Sequence, residues 1–165
     1  MSTPSPELPE DVQYILQRCD GFLDLKMVAK ARAEWERVPL ELRGQARSCF
    51  LRLLCEEKSW AEARVVLAEW CAREPDHAGA WIQLAYVTRR AESLQAAEHI
   101  LNTARVQFPQ EPVIVYNLAC YACQAGRLEE ARALLRHAAK LDPATLGLAG
   151  EDDDLRPLWP ELPDP

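Results

Sequence analysis

An all-α fold is expected of this sequence: an αα-superhelix in which antiparallel helix pairs stack as a solenoid, closed by a short C-terminal capping segment. Three observations point there. Apolar residues recur at helical spacing, as at Trp81, Leu84, Ala85 and Thr88, which fall at i, i+3, i+4 and i+7. The pattern returns every 34 residues, at Ala63, Ala97 and Ala131, at Leu67, Leu101 and Leu135, and at Pro75, Pro109 and Pro143. A sustained period of that length belongs to helix-turn-helix units that bury one face against the next copy. The punctuation agrees, because each of those prolines stops a second helix and the turns are so short that the helices of a pair must run antiparallel.

Taken in order, residues 1–9 hold three prolines among Ser and Thr and form a mobile lead-in. A degenerate pair occupies about 10–43. Its first helix carries Val12, Ile15, Leu16 and Cys19 on one stripe until Gly21 breaks it; its second starts near Asp24, a capping residue, and runs through Leu25, Val28, Ala29, Ala33 and Trp35 to Pro39. Terminal repeats depart from the pattern because one face meets water. Three cleaner pairs follow at about 44–77, 78–111 and 112–145, with helices near 41–57 and 59–73, 77–90 and 93–108, and 111–125 and 127–141. Ser59 and Ser93 are positioned as N-caps, and Gly126 supplies the left-handed residue after a helix. Small Ala85 opposite small Ala97 lets two backbones approach, so a large residue at either would overpack the pair by about 1–3 kcal/mol. Residues 146–165 form an acidic segment and tail that carries Leu146, Leu148, Leu155, Leu158 and Trp159.

Composition narrows the function. The formal charge is −7, but residues 151–165 hold six acids and one arginine, so the body is close to neutral and the acidity is mainly a tail. Nothing resembles the basic stripe that nucleic acid or an anionic membrane surface attracts. No apolar run approaches a membrane span, and the first residues lack the basic and apolar regions of a secretory signal, which makes the cytoplasm the expected location. All six cysteines (Cys19, Cys49, Cys55, Cys71, Cys120 and Cys123) lie in helix-periodic segments, where a reduced thiol serves as a small hydrophobe.

The segment from Trp81 to Ala85, together with Ala97, Leu101, Ala104 and Pro109, resembles a tetratricopeptide repeat, as does N-L-A-C-Y-A-C-Q-A-G-R-L-E-E-A-R from Asn117 to Arg132. The resemblance covers residues 44–145 well and 10–43 loosely. It departs at Thr88, where an aromatic is common, and at Arg47 and Val115, which stand where Trp81 does. The final stretch, LDPATLGLAGEDDDLRPLWPEL, resembles a closing segment seen after the last repeat of bacterial members, which implies that residues 146–165 are an acidic capping segment and tail with Leu146, Leu148, Leu155, Leu158 and Trp159 covering the last pair.

The resemblance implies that first helices line a concave groove holding a partner's peptide or helix. Candidate groove residues are Arg52, Ile82, Gln83, Tyr86, Arg89, Arg90, Tyr116, Asn117 and Cys120, with Ser48, Cys55 and Cys123 at the same helical phase. Arginines beside tyrosines suit an acidic or C-terminal peptide. The chaperone-binding clamp of some members needs lysines that are absent here; Asn117 matches one clamp asparagine, but Arg52 and Gln83 do not complete the set. Cys120 and Cys123 form a lone C-x2-C within a helix, without a second pair for zinc and without the strand that thioredoxin-like chemistry requires. No catalytic constellation, cofactor motif or metal set stands out.

The expected function is therefore a non-enzymatic scaffold or adaptor. A dedicated chaperone of a secreted or unstable client, and a self-associating structural protein or homo-oligomer, are the alternatives. For the tail two readings compete: a cap over the last pair, or an intramolecular occupant of the arginine-lined groove.

Overall fold

The computed structural model describes residues 7–161. They form an all-α fold with no strand among the described residues. In chain order the helices are α1 (Glu10–Asp24), α2 (Val28–Glu36), α3 (Arg47–Glu56), α4 (Trp60–Arg73), α5 (Ala78–Ala91), α6 (Leu94–Gln107), α7 (Pro112–Gln124), α8 (Leu128–Leu141) and α9 (Ala144–Ala149). Short 3-10 segments cover Leu40–Leu42 and Asp153–Glu161. Among the described residues no helix is long and apolar enough to cross a membrane.

A single device closes α1, α3 and α7, at Lys58 and Gly126 two sequence periods apart and at Lys26 two residues out of phase. Lys26 (φ 56°), Lys58 (φ 57°) and Gly126 (φ 77°) each adopt the left-handed conformation just past the helix. Two backbone bonds then take up the last carbonyls. The N–H of Lys26 donates to Leu23 and that of Met27 to Phe22; Lys58 donates to Cys55 and Ser59 to Leu54; Gly126 donates to Cys123 and Arg127 to Ala122, at 2.8–3.1 Å. With the chain turned in this way, α2 and α8 begin without a side-chain cap. α5 ends differently, at Glu92 with φ −130°, and there the Ser93 hydroxyl caps α6 by accepting from Ala96 N at 3.1 Å.

Three local expectations are corrected. Gly21 lies inside α1 and does not break it, since Leu25 N still bonds Gly21 O at 3.2 Å; the left-handed Lys26 ends the helix instead. Asp24 closes α1 and caps nothing, and α2 starts at Val28. The stretch expected to be helical from residue 41 is split, because after the 3-10 turn Arg43 donates to the carbonyls of Val38 and Glu36, and α3 starts only at Arg47.

Two compact units divide the chain, Met1–Val66 and Leu67–Pro165, with the division inside α4. In the first, Val12, Ile15, Cys19 and Leu23 of α1 join Ala31 and Trp35 of α2 and Cys49 and Leu53 of α3 in one core. Trp35 stacks on Phe50 with centroids 4.7 Å apart. Buried Glu34 is held by Arg18 and Arg37. In the second, Ala85, Ala97, Leu101 and Ala104 of the α5–α6 pair meet α7 and α8, and α9, Leu155 and Leu158 complete the core. Ala85 and Ala97 are wholly buried, as close helix contact requires.

Candidate functional site

The second unit is built around α7, whose sequence PVIVYNLACYACQ is apolar almost without interruption. An amphipathic surface helix carries one apolar stripe, whereas α7 buries residues around its whole circumference, from Ile114 to Cys123 with Asn117 half-buried. Neighbouring helices cover part of it. The rest is covered by residues 152–158, a strap that leaves α9 and returns across α7.

Two carboxylates two residues apart attach the strap. Asp152 Oδ2 accepts from the Tyr116 hydroxyl at 2.9 Å and from Cys120 Sγ at 3.5 Å, while its Oδ1 accepts from Asp154 N at 2.9 Å. Asp154 pairs with the Arg89 guanidinium through both oxygens, a bidentate geometry. Arg89 also donates to Gln124 Oε1 at 3.3 Å and lies 5.5 Å from the Tyr121 ring centre. Leu155 and Leu158 then enter the core, 0% and 1% exposed. Trp159 is half-buried, its indole donating to Ala149 O at 3.0 Å.

The electrostatics suit donors that stay protonated. Burial, reinforced by the Asp152 carboxylate, pushes both the Tyr116 hydroxyl and the Cys120 thiol well up. Burial also raises Tyr121, to about 12, although Arg89 opposes the shift. The hydrogen bonds it donates to Asp154 raise the Arg89 guanidinium. Cys19, Cys49, Cys71 and Cys123 are likewise raised, with burial the leading cause in each. None of these thiols is poised as a thiolate nucleophile. No cysteine is in a disulfide, and among the described residues no cluster of His, Cys, Asp or Glu is arranged to hold a metal.

Of the groove candidates, the structure brings Arg89, Tyr116 and Cys120 together under the strap. Tyr116 and Cys120, expected on the groove surface, are instead buried there. Gln83, Tyr86 and Arg90 remain exposed on α5, and Ile82 and Asn117 are half-buried. Arg90 lies over the Tyr86 ring at 3.5 Å and donates to Tyr86 O, and the Asn117 amide donates to Val113 O. Arg52 belongs to the first unit, where Asp20 and Asp24 of α1 hold its guanidinium at 2.7 and 2.8 Å. Leu148, expected to cover the last pair, is 61% exposed, because α9 turns Thr145 and Ala149 inward instead. Sequence reasoning missed Asp152, Asp154, Tyr121 and Gln124 as individual partners; the spacing of acid, acid and leucine in the tail was the available signal.

No family model matches the chain, and no curated protein matches it.

Proposed function

We propose that this protein is a non-enzymatic scaffold or adaptor of the tetratricopeptide-repeat kind, working in the cytoplasm, that holds a peptide or helix of a partner protein against the first helices of its pairs. One observation carries this reading: the chain's own acidic, leucine-bearing segment is already seated on Arg89, Tyr116 and Cys120. A surface that takes one such segment through side-chain contacts has the chemistry to take a partner's. On α5 and α7, exposed Gln83, Tyr86 and Arg90 and half-buried Asn117 offer an aromatic ring, a planar cation and two amides for a polar or acidic peptide. The net charge of −7 argues for a protein partner over nucleic acid.

The test is affinity capture from lysate of the source organism, read by quantitative mass spectrometry, comparing wild type with the Tyr86→Ala, Arg90→Glu double variant. Both side chains are exposed, so folding should survive the exchange. A protein captured by wild type and lost by the variant supports the reading. Equal capture by both moves the binding surface off α5. No capture by either, with a mass that rises with concentration, replaces the scaffold with self-association.

A further inference from the structure

The way the strap is held separates it from an ordinary helix-end cap. Among the described residues its polar links to α5 and α7 run between side chains, while its own backbone bonds stay within the segment, as from Leu155 N to Asp152 O. Four positions are held: Asp152 by a phenol and a thiol, Asp154 by a guanidinium, and Leu155 and Leu158 by burial in the core. The intervening Asp153, Arg156 and Pro157 are exposed. Pro157 and Pro160 restrict the segment before it docks, which lowers the entropy lost on binding. These are the properties of a docked short peptide motif with the pattern Asp-x-Asp-Leu-x-x-Leu.

We infer that the α7 face is a receptor for segments of that pattern, filled at rest by residues 152–158, and that the partner of this protein carries such a segment and exchanges with the chain's own. The inference rests on the scaffold reading above and names the partner's chemistry. Complementarity selects the occupant, because the guanidinium, phenol and thiol all donate and the two leucines enter the apolar core shared with α7 and α8. A tethered segment competes at an effective concentration of about millimolar. An identical free segment therefore displaces it poorly, and a partner prevails by adding contacts elsewhere, as to exposed Tyr86 and Arg90 of α5.

The experiment uses the full chain and a fluorescein-labelled peptide of residues 150–161, GEDDDLRPLWPE. Binding is measured by anisotropy to wild type and to the full-length Asp152→Asn, Asp154→Asn variant, whose own segment has lost both carboxylates. The variant should bind the peptide at least about tenfold more tightly than wild type, and a peptide with the same two exchanges should bind it at least about tenfold more weakly. No binding by a variant of undiminished helicity overturns the inference and leaves the strap as a permanent cap. A second measurement needs no variant: in wild type, peptide at about millimolar concentration should accelerate amide exchange across residues 152–158 but not across the middle of α7. Unchanged exchange also overturns it. A concentration-dependent doubling of mass in wild type assigns the exchange to a second copy and overturns the partner assignment. If the peptide fails while capture through Tyr86 and Arg90 persists, this inference falls and the scaffold reading stands.

Discussion

Leu155→Ala is the sharpest test of how the strap is held. The side chain is 0% exposed in the core formed with α7 and α8, and the change removes three carbons without disturbing either carboxylate. Replacing a fully buried leucine by alanine costs about 2–5 kcal/mol, with the lower half of that range applying where the surroundings can close over the gap. A short 3-10 segment can do so, which places the loss at about 2–3 kcal/mol. In a protein of this size each kcal/mol shifts the midpoint by about 2–4 °C, so thermal unfolding of the variant, followed by far-UV circular dichroism, should begin some ~4–12 °C lower. The Leu155→Ala, Leu158→Ala double variant separates two descriptions of the strap. Independent side chains would lose about twice as much, whereas a strap that releases as a unit loses little beyond the first exchange. A Leu155→Ala protein within about 0.5 kcal/mol of wild type would refute the reasoning, since burial would then contribute nothing.

Other expectations follow from single residues. Lys58 holds φ 57° without the glycine that Gly126 provides at the equivalent turn, so Lys58→Gly should stabilise by about 0.5–1 kcal/mol and Gly126→Ala should destabilise by about 1 kcal/mol in urea titrations; the opposite pair of signs would contradict the left-handed assignment. Thr88 Oγ1 is, among the described residues, the one buried side-chain oxygen or nitrogen without a hydrogen-bond partner, so Thr88→Val should raise stability by about 1 kcal/mol, and a loss would mean that the hydroxyl is satisfied in solution. Glu34 is held below its ordinary value of 4.5, first by the hydrogen bond from Arg18 and then by Arg37. A depressed carboxylate stabilises above its unfolded pKa, and that contribution is lost as pH falls from about 4.5 through the folded value. Acid titration of Glu34→Gln should therefore lack that part of the decline; an unchanged acid profile would remove Glu34 from the account.

Much of the fold was legible because a helix pair is a local object. The 34-residue interval, the prolines that end the second helices, the Ser93 cap and the left-handed Gly126 all act within one or two turns of chain, so periodicity and turn chemistry expose them directly. The local misreadings have equally local causes. Gly21 looked like a stop because glycine weakens a helix, yet an N–H and a carbonyl still bond across it, and the stop fell at Lys26, a residue type that gives no warning of φ > 0. The degenerate first pair ends with Pro39 out of phase, and the 3-10 turn that follows is held by Arg43 reaching back to carbonyls, a detail outside any apolar pattern.

The candidate site divides along the same line. Sequence periodicity places Arg89, Tyr116 and Cys120 on first helices at one helical phase, the family resemblance implies that this phase lines a groove, and composition locates the acids in residues 151–165. None of these joins them. Arg89 meets Asp154 across 65 positions, and Tyr116 meets Asp152 across 36. Such pairings depend on where α9 ends and how the chain returns, and therefore on the packing of Leu155 and Leu158, whereas helical spacing reports only which side of its own helix a residue occupies. Local hydrogen bonding and apolar period made the helices readable from the chain; the burial of two distant leucines decided which charges meet.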